Sequence, residues 1–323
     1  MKCLCCGKNI NENAPMEEKN SCWHKRCVKS FFNTQKLPLL DISEEQLEHL
    51  ANTTVNKGLT VPGVQKKLSL HLSQDTETRL TIIDYPTGYI LKPQTEDFDF
   101  LPEFEDLAMR MAEIAGIKTV PHALMKMNKT YVYITKRIDR DIFPVSIHLY
   151  AMEDFCQLSN RLTQDKYKGS YESCGRIIQK YSSYPGLDLS ELFMRVVFSF
   201  IIGNSDMHLK NFSLRETEPA SRLFRLSSAY DMLPVNIIMP EDTEQLALTL
   251  NGKKRNIHKK DFYLFAEKCG IQKKSTEKMI KKLCSQKEKF LAQCDESYLP
   301  SKFRENLKIL IEERIKTLES GSR

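Results

Sequence analysis

The chain has 323 residues, 41% hydrophobic and 28% charged, with a formal net charge of +6. That length and balance allow two domains or one two-lobed unit with a sizeable core, and they exclude a disordered or collagen-like chain. No stretch reaches the roughly eighteen apolar residues of a membrane-spanning helix, and Met1-Lys2-Cys3-Leu4-Cys5-Cys6 lacks the apolar centre of a signal peptide. The expectation is a cytoplasmic protein with no membrane partner.

Five of the ten cysteines fall within the first 27 residues, and the others stand singly at 156, 174, 269, 284 and 294. A disulfide framework would spread its pairs, whereas metal binding concentrates them. Cys3-x-x-Cys6, seventeen residues, then His24-x-x-Cys27 supplies two ligand pairs, each able to grip one face of a tetrahedral ion. Trp23, Phe31 and Phe32 would give this small unit a core. The spacing resembles the first half of a LIM-type finger, and structural zinc is the reading. A redox dithiol is the alternative, with Cys5 and Cys22 spare or substituting for a neighbour.

A short helix is predicted at Ser43–Leu50, opened by Asp41 or Ser43 as its cap. From about 53 to 93 the pattern turns to strands. Leu68-Ser69-Leu70-His71-Leu72 and Tyr89-Ile90-Leu91-Lys92 alternate with period two, around the turn residues Asp84-Tyr85-Pro86-Thr87-Gly88. Pro102-Glu103-Phe104-Glu105 opens a helix ending at Gly116, and strands follow near 122–127 and 130–136. Beyond Tyr150 helices are predicted at 151–160, 171–182, 190–202, 259–269, 274–294 and 303–319. Strand-rich first, helix-rich second: the class is α+β, bilobal, rather than a doubly wound sheet. The boundaries drawn are 1–35 for the cysteine-rich unit, 36–150 for a strand-rich lobe and 151–323 for a helical lobe.

The apolar run Leu192 to Ile202 breaks abruptly into Gly203-Asn-Ser-Asp-Met-His-Leu-Lys-Asn211. Asp206 and Asn211 have the Asp-x-x-x-x-Asn spacing of a protein-kinase catalytic loop, in which the carboxylate takes the proton of an attacking hydroxyl and the amide holds magnesium. The other parts such a site needs occur in order. Gly63, in Val61-Pro62-Gly63-Val64-Gln65-Lys66-Lys67, offers a turn over phosphates, and Lys92 a cation at a strand end. Glu103 or Glu105 could orient that lysine, and Asp231, in Ala229-Tyr230-Asp231, is a second metal-binding carboxylate.

Taken together, Gly63–Leu70, Ile90–Pro93, Glu105, Lys136-Arg137-Ile138-Asp139-Arg140, Glu153-Asp154-Phe155-Cys156-Gln157, the 203–213 loop, Ala229–Asp231 and Leu250-Asn251-Gly252-Lys253-Lys254 resemble the HipA-family serine/threonine kinases, the toxin half of bacterial toxin–antitoxin systems. The resemblance spans about 55 to 310. It implies a protein-kinase-like fold, ATP and magnesium, Asp206 as catalytic base, and Asn211 and Asp231 on the metal. Lys92 would contact the phosphates, covered by Gly63, Val64, Gln65 and Lys66. The backbone of Glu153 and Phe155 would form the adenine hinge, and His208 takes the place of the usual phosphate-binding lysine.

Family members silence themselves by phosphorylating a serine just before the glycine turn; here Thr60 is the corresponding hydroxyl, and Pro62 directly precedes Gly63. The finger and short connector before the matched region resemble the shorter variety of the family, in which a further N-terminal subdomain is expected as a separate small protein. The implied partners are a HipB-like helix-turn-helix antitoxin, that small protein, an aminoacyl-tRNA synthetase as substrate, and DNA mainly through the antitoxin. Between Lys253 and Phe290 thirteen Lys or Arg stand against four Asp or Glu, a possible auxiliary surface or simply a solvated face. The alternative from another class is a catalytically idle kinase fold acting as corepressor or DNA-binding partner.

Overall fold

A computed structural model describes residues 1–42, 67–73, 78–81, 87–143 and 146–320. The helix expected at Ser43–Leu50, most of the Asp84–Gly88 turn, and Thr60, Gly63, Val64, Gln65 and Lys66 lie outside the described residues. The fold is α+β. Two compact units divide the chain: Met1–Asp106 with Pro121–Ile147, and Leu107–Val120 with His148–Arg323.

The first unit contains α1 (Met16–Ser21), α2 (Lys25–Phe32) and a six-stranded sheet. Its strands are β1 (Leu39–Leu40), β2 (Leu68–Ser73), β3 (Arg79–Thr81), β4 (Thr87–Lys92), β5 (His122–Met127) and β6 (Thr130–Lys136), in the order β1-β3-β2-β4-β6-β5. All neighbours are antiparallel except β1 and β3. The period-two reading of β2 holds where it matters: Leu68 and Leu70 are buried and Ser69 exposed. β5 and β6 form a hairpin, with Asn128 at φ 54° in its turn, a conformation asparagine tolerates better than most residues. Helix α3 (Leu101–Ala115) starts in this unit and belongs to the second from Leu107.

The N-terminal residues are not a free-standing module. Trp23 is buried against Phe31 and Phe32, and its indole N–H donates to the Leu124 carbonyl at 3.2 Å. Leu124 N–H donates in turn to Leu4 O at 3.1 Å, and the Tyr89 hydroxyl reaches Phe31 O at 3.3 Å. A unit too small to build its own core borrows one face of the sheet.

After the short strands β7 (Arg140–Ile142) and β8 (Ile147–Leu149), the second unit holds a small antiparallel sheet of β9 (Met152–Asp154), β10 (Ser213–Glu216) and β11 (Phe224–Leu226), with β10 central. Around it lie α4 (Phe155–Leu158), α5 (Tyr171–Tyr181), α6 (Pro185–Ile202), α7 (Val235–Ile238), α8 (Lys259–Lys268), α9 (Lys273–Cys284), α10 (Lys287–Asp295) and α11 (Ser301–Glu319). Helix α6 is buried on every side from Leu192 onward, with Arg195 and Ser199 its only polar residues there, and is the axis packed by α5, α9 and α11.

Three element boundaries differ from the sequence reading. Helix α6 starts at Pro185 rather than 190, because proline at the first helical position needs no N–H partner and already has a helical φ. The helix expected at 274–294 is broken at Ser285-Gln286 into α9 and α10. The one expected at 151–160 is strand β9 followed by a single turn, started by a reciprocal cap between Asp154 and Gln157.

Candidate active site and metal cluster

Lys92 ends β4, between β2 and β6 and opposite Tyr133. Its ammonium donates to Glu105 Oε1 on the first turns of α3 and lies 5.3 Å from the centre of the Tyr133 ring. Both side chains are withdrawn from water, at 4% and 0% exposure. Of the two glutamates that could have oriented the lysine, Glu105 is the partner. Glu103 is buried elsewhere on the helix; burial, with Asp106 adding to it, pushes its carboxyl up to about 7.

In the second unit, Gly203 closes α6 at φ 71°, and the polar loop is then folded by its own groups. Asn204 Oδ1 accepts the Asp206 N–H at 3.1 Å, and the Asp206 carbonyl accepts from His208 N at 2.8 Å and Asn211 Nδ2 at 2.9 Å. The two residues of the kinase-like spacing are therefore joined directly. Because the Asn211 amide nitrogen is turned onto Asp206, its oxygen points the other way, as a hard acceptor suited to magnesium.

The Asp206 carboxylate, 36% exposed, accepts a 2.5 Å hydrogen bond from the Tyr167 hydroxyl and lies 3.9 Å from His208 Nε2. The Tyr167 ring meets His208 edge-on at 5.0 Å. Burial, then the neighbouring Asp206 charge, pushes the phenol well above its usual range, so it stays protonated and donates. Behind the loop, the fully buried Tyr171 donates to the Met207 carbonyl at 3.1 Å.

Asp231 sits at φ 61°, a left-handed conformation that costs a non-glycine residue roughly 1–2 kcal/mol. Its approach is pinned: Ala229 N–H donates to Lys118 O at 2.7 Å, and Val120 N–H to Ala229 O at 2.9 Å. The Tyr230 hydroxyl donates to Lys210 O at 3.0 Å and shares a 2.5 Å bond with Ser213 Oγ. Asn211 and Asp231 thus each follow a residue of one hydrogen-bonded pair. The buried Arg195 adds a bond from Nη2 to Ser227 O at 2.6 Å. Sequence reasoning passed over Tyr167 and Arg195; the only signal for Tyr167 was an aromatic hydroxyl between two lysines.

Glu153 lies in β9, paired with Leu214, and its side chain is exposed. Phe155 is buried, its N–H donating to Phe212 O at 2.9 Å and its carbonyl accepting from Ser159 Oγ at 2.6 Å. An adenine contact through the Phe155 backbone would have to displace or share one of these bonds. Lys210 pairs with Asp154 at 2.6 Å beside it.

Among the described residues one group of side chains converges as a metal site. The ligand atoms of Cys3, Cys6, His24 and Cys27 all lie within 4.8 Å of one another. Zn–S and Zn–N bonds of about 2.3 and 2.0 Å in a tetrahedron put ligand atoms about 3.5–3.8 Å apart. His24 Nδ1 is 3.4 Å from Cys6 Sγ and 3.9 Å from Cys27 Sγ. Its other nitrogen faces the Asn9 carbonyl at 3.3 Å, as a ligand histidine's second nitrogen should. Burial opposes ionisation of Cys6, but the Lys8 backbone and the neighbouring Cys27, His24 and Cys3 bring its thiol down to about 7. Cys5 is not among the four, and Cys22 turns its sulfur to Lys19 O at 3.6 Å. The donor set fits zinc.

The basic stretch forms α8 and α9 and carries a groove of about 750 Å³ lined by Lys259, Lys260 and Lys273 around Leu264 and Ile271. No residue of the kinase-like set lines it.

The chain is 24% identical over 269 residues to a Haemophilus influenzae protein named "Putative kinase", covering 76% of this chain and 77% of that one. Two Sinorhizobium fredii proteins, "Putative kinase Y4mE" and "Putative kinase Y4dM", are 28% and 31% identical over 66% and 67% of this chain. The match spans about half of their length, 51% and 54%. Among solved structures, the fold is similar to that in a Shewanella oneidensis complex of HipA, HipB and operator DNA (TM-score 0.67, 17% identity, 82% of this chain and 68% of that one). It is also similar to the Helicobacter pylori proinflammatory kinase CtkA (TM-score 0.51, 17% identity, 72% and 88%). The model of the HipA-like C-terminal domain matches residues 59–290; with that span inside it, the chain belongs to the HipA-like family.

Proposed function

We propose that this chain is an ATP- and magnesium-dependent kinase of serine or threonine hydroxyls on protein, acting as the toxin of a toxin–antitoxin pair. The observation that carries the reading is the Asp206 carboxylate holding a hydroxyl at 2.5 Å within a loop that also presents Asn211. A general base must sit within hydrogen-bond reach of the proton it takes. Asp206 orients the substrate hydroxyl and accepts its proton; Asn211 and Asp231 hold magnesium, which neutralises charge on the transferring phosphate when bound. Lys92, fixed by Glu105, binds ATP phosphates, with Gly63 to Lys66 as their cover. His208 serves as a phosphate contact, Glu153 lies at the adenine hinge, and Thr60 is a site of self-modification.

The family and the HipA–HipB–DNA structural neighbour support a HipB-like antitoxin as partner, with DNA reached mainly through it. A separate small N-subdomain protein and an aminoacyl-tRNA synthetase substrate complete the proposal. The Cys3, Cys6, His24, Cys27 cluster holds one structural zinc, which closes the LIM-like N-terminal unit. The test is transfer from labelled ATP, to the chain itself and to cell proteins, by wild type and Asp206→Asn. Label incorporated by wild type and lost in the variant supports the kinase; no transfer by wild type to any protein overturns it and favours the idle corepressor.

A further inference from the structure

Three tyrosines touch the 203–211 loop, and they differ: Tyr230 donates its hydroxyl to the Lys210 carbonyl at 3.0 Å. Tyr171 is fully buried, with its hydroxyl on the Met207 main chain; it is a buttress. Tyr167 is 38% exposed and places its hydroxyl on the Asp206 carboxylate, where an attacking hydroxyl belongs. Its segment is held there: Leu209 N–H donates to Lys166 O at 3.1 Å, and the ring rests edge-on against His208. We propose that Tyr167 is an intramolecular phosphoryl acceptor of this loop, a modification site additional to any on the chain's substrates. The proposal rests on the kinase reading above.

In the step, Tyr167 Oη attacks the terminal phosphorus of ATP and forms the new O–P bond. The bond from that phosphorus to the bridging oxygen breaks, ADP leaves with the electron pair, and the phenolic proton passes to Asp206. Tethering supplies what a free tyrosine lacks: the phenol is already beside its base, and the step is effectively unimolecular. The product would bring a dianionic ester next to the Asp206 carboxylate, whose repulsion expels the side chain toward solvent. Asp206 is then released for a substrate hydroxyl.

The experiment uses the full chain, first treated with phosphatase and then given magnesium and ATP, with phosphosites mapped by mass spectrometry over time. Phosphate should appear on Tyr167 at a first-order rate independent of protein concentration, and be absent in Asp206→Asn. When wild type is mixed with isotopically heavy Asp206→Asn, the heavy chain should stay bare at Tyr167. Wild type that phosphorylates other residues or added protein while Tyr167 stays bare overturns this proposal alone, as does labelling of Tyr167 on the heavy chain. No transfer to any residue overturns the kinase reading and this proposal with it.

Discussion

Lys92 and Glu105 form an ion pair from which water is almost excluded, one partner at a strand end and the other on a helix. Removing one member of such a pair strands a buried charge, at a cost of about 3–5 kcal/mol. Glu105→Ala should lower the urea midpoint accordingly, whereas Lys92→Met with Glu105→Leu should recover most of the loss. A Glu105→Ala protein that melts like wild type would show the pair to be solvated. Both changes should abolish phosphate transfer.

The N-terminal cluster predicts one zinc per chain by metal analysis. Chelation, or Cys27→Ser, should loosen the packing of Trp23, the chain's single tryptophan. Its emission should therefore shift to the red while the far-ultraviolet signal of the helices changes little. Unchanged emission after complete removal of metal would mean that the sheet alone holds the unit.

Glu103 predicts a pH dependence with a definite sign. Folding raises its carboxyl from the ordinary value of about 4.3 to about 7. The folded chain therefore binds the proton more tightly than the unfolded one. That contribution is fully present below about pH 4 and is lost as pH rises to about 7. Glu103→Gln should stabilise the protein by on the order of 2 kcal/mol at pH 8 and do little at pH 4. Equal effects at both pH values would refute the burial argument.

Gly203 is required where α6 meets the loop. Its φ is 71°, and a Cβ there would lie 2.5 Å from Leu310 Cδ2 and 3.2 Å from Asn236 Cβ. Gly252 has a similar φ of 76° with nothing within 4 Å. Gly252→Ala should thus cost only the conformational term, about 1–2 kcal/mol, and Gly203→Ala that amount plus about 1–3 kcal/mol of overpacking. Thermal melts of the two variants give the comparison, and equal losses would remove the packing term.

Local patterns carried much of this in the sequence. The helix break at Gly203, the Asp206–Asn211 spacing, the strand leading to Lys92 and the two ligand pairs are all short-range signals, and the structure joins or clusters the groups they name. What escaped was decided by packing between distant segments. Nothing in Pro102-Glu103-Phe104-Glu105 says which carboxylate faces Lys92; that depends on how α3 is rotated. Tyr167 reaches Asp206 across 39 positions, and Arg195 reaches Ser227 across 32. The break of 274–294 at Ser285-Gln286 has no proline or glycine to announce it.

The seat of Trp23 has a consequence for biosynthesis. The residue that caps its indole, Leu124, lies 101 positions later, and Lys136, which reaches Ser30 O at 3.4 Å, lies 106 positions later. The four ligands thus leave the ribosome long before the surface that covers them exists. A nascent chain ending near residue 100 has its thiols but no β5–β6 hairpin to dock against. Completion of the first unit waits on that hairpin, and a segment made about 100 residues before it is among the last to be sealed.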